Sequence, residues 1–293
     1  MSELINCINN LSAKDIIKSI AKTANGTPFY LQTSGLGGFC AAYQVVYDSL
    51  TTKPSEAIAA AQNTMCCALV DAGIWSKLDV FYLFAQTVNT ASEALVNWKN
   101  PGTLDAVAFA APAFVALEGF TGDGANTYIN TNYVPNTHGV NYTQNNAGFG
   151  IYVRNNIGEG ANDCGTIGVH DNFIRSRYNV DFSYGAVNQT SGTISAANID
   201  SRGMFHTQRT ASNALELFKN GVSLVAGVNA STGLSTYPFF VLASSNGILV
   251  PVSICTKQIS LFYAGGVFSQ PEITTFTNAF ETYMDSNGKG VIP

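Results

Sequence analysis

The stretch ALELFKNGVSLV, residues 214–225, decides how the chain is read. Polar and apolar residues alternate on both sides of Asn220-Gly221, and an Asn-Gly pair supplies the two positive φ angles of a type I′ turn. The segment therefore predicts a β-hairpin. The same period of two recurs throughout the chain after Lys77. Short strands are expected within 79–86, 126–134, 147–155, 164–170, 173–180, 181–187, 239–244 and 259–266, with turn residues between them. Many short strands joined by regular turns imply a sandwich or barrel rather than βαβ units.

Residues 1–76 carry a helical period instead. Ser12 caps a first helix with Ile16, Ile17 and Ile20 on one face, stopped by Asn25-Gly26; residues 27–38 read as an extended Gly-rich arm; 39–50 and 54–73 predict two further helices. The chain closes on a predicted helix over 269–288. Ser269 and Glu272 stand in capping-box spacing, Pro271 lies in the first turn, and Ile273, Phe276, Phe280, Tyr283 and Met284 form the apolar stripe. The apolar run AVAFAAPAFVAL (106–117) is too short to span a bilayer and contains Pro112.

Composition narrows the function classes. With 46% hydrophobic residues among 293, the core is ample, but only 11% are charged, well below the usual quarter. So neutral a surface is expected to be partly covered by other subunits, since surface charge is what keeps monomers apart. The 14 Lys and Arg against 19 Asp and Glu leave a net charge of −5 with no basic cluster, which argues against nucleic acid. SELINCINN after Met1 lacks the pattern of a signal peptide, so a cytoplasmically made protein is expected. In that setting six cysteines argue against a disulfide framework, and Cys66 and Cys67 in TMCCALV read as buried free thiols.

The residues that carry chemistry are few. Asp123, in GFTGDGANTYINTNYVP (119–135), reads as a turn residue rather than a calcium ligand, because no dense Asp cluster follows it. His138, His170 and His206 are too dispersed for zinc, so no metal and no cofactor is expected. Glycoside hydrolysis needs two facing carboxylates, and Glu216 has no acidic neighbour two residues on. Cys164 has no nearby base and no serine sits in a nucleophile elbow, so no catalytic residue is expected.

Sugar binding uses an aromatic platform with polar groups beside it. Tyr152, Arg175, Arg177, Tyr178 and Tyr184 lie on central strand candidates, and His170 and Asp171 at a strand end. From these, Tyr152, His170, Asp171, Arg175 and Tyr178 are the candidate carbohydrate-binding residues. The competing reading is that the aromatics fill the core or a subunit interface. Arg175 and Arg177 share one face of the expected strand, and a core does not tolerate unpaired charge, so that face must meet water, a partner or a ligand.

Three segments resemble a concanavalin A-like (LamG-type) jelly roll: GFTGDGANTYINTNY, LELFKNGVSL, and ISLFYAGGVFSQPEITTF leading into the last helix. GIWSKLDVFYLFA followed by LVNWKNPGTLDA is similar to a family of phage and prophage virion proteins, common in viruses of gut bacteria, in which a short helical segment precedes the lectin-like sandwich. The likeness covers roughly residues 40–290. It implies a mainly β protein: a concanavalin A-like jelly-roll sandwich over 77–293 ending in a helix, preceded by a helical segment over 39–76 and an attachment helix and arm over 1–38. The function it implies is that of a non-enzymatic virion structural protein, a head or tail fibre or appendage component. Such a protein is made in the bacterial host cytoplasm and joins other virion proteins through residues 1–38. It is expected to self-associate as a homotrimer, with host or mucosal glycans as ligand and neither nucleic acid nor membrane as partner. The alternatives are a capsid decoration or cement protein without ligand, and a glycan-degrading enzyme of the same fold.

Overall fold

The computed structural model describes residues 38–90 and 93–293, so the expected attachment segment falls almost wholly outside the described residues. From Cys40 to Pro293 the chain forms one compact unit. Two helices, α1 (Ala41–Ser49) and α2 (Glu56–Asp71), are followed by a single turn, α3 (Ile74–Lys77). The period then changes and two β-sheets follow, interrupted by a second single turn, α4 (Pro135–His138), and closed by α5 (Gln270–Ser286). As expected, α5 starts with a capping box between Ser269 and Glu272, which satisfies backbone N–H groups that a helix start leaves without partners.

Strands are numbered along the chain. The first sheet runs in the order β13 (Val222–Val228), β12 (Ala214–Lys219), β11 (Gly203–Ala211), β6 (Ala147–Val153), β17 (Gln258–Gly265), β4 (Gly119–Thr121), β3 (Ala113–Val115). β1 (Leu78–Leu83) also pairs with β17, beyond the reach of the short β4. The second sheet runs β10 (Ile194–Ala197), β9 (Phe182–Gln189), β8 (Asp171–Arg175), β7 (Cys164–Thr166), β14 (Phe240–Val241), β5 (Tyr128–Asn130), β2 (Val107–Phe109). A small flap of β15 (Ser244–Ser245) and β16 (Pro251–Val252) hangs from β7. All pairings are antiparallel except β15 on β7. This is the expected mainly β sandwich of jelly-roll type with helices at both ends of its sequence. The hairpin expected over 214–225 is β12–β13, with Asn220 at φ 51° and Gly221 at φ 80°.

Between the sheets lies one core that includes Phe84, Phe149, Ile151, Ile174, Val187, Phe239 and Phe262. The outer face of the first sheet is buried as well, beneath α5. Tyr152 of β6 packs on Phe280 at 4.9 Å, and Tyr263 of β17 on Phe276 at 4.2 Å. Each ring removed from water in this way stabilises the fold by roughly 1.5–3 kcal/mol. α2 backs α5, and Gln62 of α2 links the Tyr43 hydroxyl to the side chain of Gln86. The LVNWKNPGTLDA stretch is a packing device in this setting. Trp98 is buried against Tyr43 and Phe81, and Asp105 accepts the Asn97 N–H at 2.8 Å.

Two expectations are corrected here, and two features go beyond what was expected. Cys67 is not a free thiol: it is disulfide-bonded to Cys40 at the start of α1, across a Cα separation of 6.0 Å. A spacing of 27 residues in sequence holds no hint of that approach, which follows from α1 folding back on α2. Cys66 is free and buried, and burial pushes its thiol pKa up to about 12. The strand expected over 173–180 stops at Arg175, because residues 178–182 turn back, with Tyr178 N–H on the Phe182 carbonyl and Asp181 at φ 60°. The run 106–117, too short to span a bilayer, forms two short edge strands, β2 and β3, parted by Ala110, Ala111 and Pro112. Finally, β11 was not anticipated, although it is central to the first sheet. Its polar residues His206, Thr207, Gln208 and Arg209 sit on both faces and are all buried.

Candidate functional site

The outer face of the second sheet is the one that no described helix covers, and its residues follow from the register. Ile174 points into the core, so Asp171, Phe173 and Arg175 point outward by the two-residue alternation of a strand. Arg175 stands opposite Tyr184 of β9, and Phe173 stands between Ala186 and Gly165 of β7. On the far side of Gly165, Phe240, Tyr128 and Phe109 continue the outward row as a stack, with centroids 4.5 and 4.7 Å apart. Ile254 packs against that stack and Phe240 is fully buried, so among the described residues the β8–β10 half of the face is the open one.

On the open half, Arg175 is the organising residue. Its Nε donates to the Ala161 carbonyl at 3.0 Å and its Nη2 to Asn162 Oδ1 at 2.8 Å, which fixes the plane of the guanidinium. Asn162 is in turn held by the Ser244 hydroxyl at 2.9 Å. The guanidinium carbon then lies 4.8 Å from the Tyr178 ring centre, 5.5 Å from Tyr184 and 5.8 Å from Phe173. Tyr178 and Tyr184 meet edge to face at 5.7 Å, and Phe182 beside them is 38% exposed. Cation–π contacts of this kind contribute about 0.5–1 kcal/mol each where water has access. Burial pulls the Arg175 pKa down, opposed by Asp163 and the two tyrosines, and a guanidinium stays charged at neutral pH regardless. The patch is thus a fixed cation framed by half-exposed aromatic rings. The turn that carries Tyr178 is braced by Arg177, whose Nη2 meets Asp181 Oδ1 at 2.7 Å and whose Nη1 donates to Asn156.

The five candidate residues do not form one site. Arg175 and Tyr178 come together. His170 and Asp171 lie at the opposite end of β8, roughly 13 Å away at the rise of a strand. There His170 Nδ1 meets the Thr232 hydroxyl at 2.9 Å, and Asp171 Oδ1 accepts the Gly168 N–H at 2.9 Å. Burial raises the Asp171 pKa, against that hydrogen bond. Tyr152 is corrected outright: it lies in the other sheet, is 0% exposed, and directs its hydroxyl to Glu281 of α5. Tyr184 and Phe182 are the members of the patch left out of the candidate set, and the alternation along DFSYGAV was the signal that put them on the Arg175 face.

Asp123 is a turn residue. Its Oδ1 accepts the N–H groups of Ala125, Asn126 and Thr127 and the Thr127 hydroxyl, between 2.8 and 3.0 Å. Those bonds, the one from Thr127 first, hold its carboxyl well below the usual range. Of the three histidines, His206 is buried in the first sheet between Tyr263 and Phe268, and burial lowers its pKa to about 4. Among the described residues, Glu159, Asp163 and Cys255 bring their ligating atoms within 4.8 Å of one another. The ammonium of Lys257 already touches both carboxylates, at 3.2 and 3.7 Å, and supplies the cation there. A groove of about 440 Å³ between α2 and α5, lined by Ala61, Thr64, Met65, Ala68 and Ala279 among others, holds no charged group. No described helix is long and apolar enough to cross a membrane.

The chain matches no protein-family model and no curated protein in sequence. Solved structures do match its fold. The binding domain of botulinum neurotoxin serotype D aligns with 71% of this chain and 52% of its own, at 11% identity and TM-score 0.50. That of serotype G aligns with 70% and 51%, at 10% identity and TM-score 0.50. The chain thus spans about half the length of these domains, and the likeness is one of fold. Weaker likenesses, at TM-scores of 0.44 and 0.47, are to domain 4 of AbnA, a GH43 extracellular arabinanase from Geobacillus stearothermophilus in complex with arabinotriose, and to a Trypanosoma rangeli sialidase with sialic acid. They cover 69% and 71% of this chain and 98% and 34% of the respective structures, at 11% identity each. The expectation that the chain is no enzyme is corrected to one that leaves enzymatic activity open, because the matches at TM-score 0.50, at 10–11% identity, show the fold and set no activity.

Proposed function

We propose that the chain is a glycan-binding β-sandwich whose ligand lies on the open half of the second sheet, over Arg175, Tyr178, Tyr184 and Phe182. One observation carries the reading. The Arg175 guanidinium is locked in plane by Asn162 and Ala161 while its faces are framed by half-exposed rings. A sugar presents an apolar C–H face together with hydroxyls, and such a patch offers both a stacking surface and charged donors without any rearrangement. A glycan array probed with the purified protein tests it. Arg175→Ala and Tyr184→Ala are expected each to weaken the selected glycan by about tenfold or more, the weight of a central anchor. Binding to no glycan, or binding indifferent to both substitutions, would sink the proposal.

Within that reading we propose the chain as a virion structural protein of a bacteriophage, a head or tail fibre or appendage component. It attaches through residues 1–38 and self-associates as a homotrimer. The GIWSKLDVFYLFA and LVNWKNPGTLDA segments support the virion assignment, and the 11% charged content supports self-association. Exposed apolar side chains at Ile248, Leu249, Val250 and Val228 lend further weight to a partner surface. Deleting residues 1–38 is expected to leave a folded sandwich that no longer joins the particle; incorporation at full occupancy would overturn the attachment role.

A further inference from the structure

Lys257 is a lysine with a fully buried ammonium, and Asp163 beside it is fully buried too. Nζ lies 3.7 Å from Asp163 Oδ1 and 3.2 Å from Glu159 Oε1, and it donates to the Ile157 carbonyl at 2.7 Å. The Asp163 carboxyl is half engaged. Its Oδ2 accepts the Ser176 N–H at 2.7 Å, while Oδ1 accepts no hydrogen bond and is turned towards the lysine. Glu159 is the third member and the one with an outlet to solvent. Its side chain is 17% exposed and held in place by the Thr256 N–H and hydroxyl. Cys255 and Cys164, both buried in the sandwich core, close the surroundings against water.

We propose that Lys257 Nζ and Asp163 Cγ become joined by an intramolecular isopeptide bond, with Glu159 as the group that moves the protons. The chemistry balances within the triad. Glu159 relays one proton from the ammonium to the Asp163 carboxylate, the neutral amine attacks the carboxyl carbon of Asp163, and the N–C bond forms. Glu159 then takes a second proton from the nitrogen and gives it to the hydroxyl that departs as the C–OH bond breaks, so one amide and one water replace an ammonium and a carboxylate. No oxidant or further reactant takes part. Burial favours the neutral form of Asp163 and raises its pKa, against the opposing pull of Lys257. The partners are also held face to face, which removes most of the entropic cost of meeting. Asp163 directly precedes β7 of the second sheet and Lys257 directly precedes β17 of the first. The bond therefore ties the two layers of the sandwich covalently at one end.

Mass spectrometry of the full chain, reduced and digested with trypsin, reads the linkage. The expected product is a branched species in which peptide 155–175 is attached to peptide 220–289, uncut after Lys257 and lighter than the sum by about 18 Da, one water. The branched peptide decides rather than the intact mass, because cyclisation at Asp123-Gly124 also removes one water. Lys257→Arg keeps the buried cation and is expected to abolish the species. Glu159→Gln is expected to slow its appearance after refolding at least tenfold, with both joined residues intact. Separate, unmodified peptides ending at and starting after Lys257 in the wild-type protein would overturn the proposal and leave a buried ion pair. Linkage at an unchanged rate in Glu159→Gln would overturn the role given to Glu159.

Discussion

The two outer faces of the sandwich are built from the same kinds of residue and end in opposite situations. On the first sheet Tyr152, His206 and Tyr263 face outward and are covered by α5 and Phe268, with relative exposures of 0%, 1% and 1%. On the second sheet Phe173, Arg175 and Tyr184 face outward, and among the described residues no helix covers Arg175 and Tyr184, which stay partly exposed. Strands rich in tyrosine with a basic residue among them therefore say nothing by themselves about exposure. The position of one amphipathic helix decides which face can meet a ligand. Arg209 and Arg175 make the same point: Arg209 is 0% exposed inside the sandwich, where the Val187 and Asn229 carbonyls accept its N–H groups at 2.8 and 2.7 Å.

The sharpest way to break the contrast is to attack the covered face. Phe280→Ala removes the ring on which Tyr152 rests and is expected to cost about 3–5 kcal/mol of stability in urea titration, by transfer and cavity terms together. Glycan binding by the remaining folded protein should be unchanged. Equal loss of binding and stability would mean that the two faces are not independent.

Acid is the second lever. His206 titrates at about 4 in the fold against about 6.5 in the unfolded chain, because burial disfavours its charged form. Between those values the unfolded state binds the extra proton. Stability contributed by neutral His206 is thus complete above pH 6.5 and is lost as pH falls towards 4, by up to about 3 kcal/mol. The groups that face the ring are Tyr263, Phe268, Phe218 and Gln208, none of which charges in that window. Thermal unfolding between pH 7 and 4 should therefore show a slope that His206→Gln reduces. A slope identical in the two proteins would assign the acid sensitivity to other groups.

The smallest expected effect on stability is on the open face. Arg175→Ala forfeits its ring contacts and leaves Asn162 Oδ1 short of a donor, which together cost about 1–2 kcal/mol. The same substitution should have the larger effect on the ligand. A cost approaching that of Phe280→Ala would place Arg175 in the structural framework instead.

Much of this protein was legible locally. The Asn220-Gly221 turn, the Asp123 turn, the Ser269–Glu272 capping box and the switch of period at Lys77 all follow from interactions within a few residues, and the structure repeats them. Hence the mainly β sandwich and its flanking helices could be read from the sequence, because backbone preferences and side-chain alternation are local quantities. The central strand β11 could not, since its polar residues are acceptable only where helix and opposite sheet exclude water and other groups satisfy them. The Cys40–Cys67 bond, the burial of Tyr152 and the gathering of Arg175 with Tyr178 and Tyr184 likewise depend on which distant segments meet. The same holds for Lys257, which follows Asp163 by 94 positions and meets it only because β7 and β17 begin at the same end of the two layers. Periodicity says that a residue has a face; only the packing of the two sheets and α5 decides what that face touches.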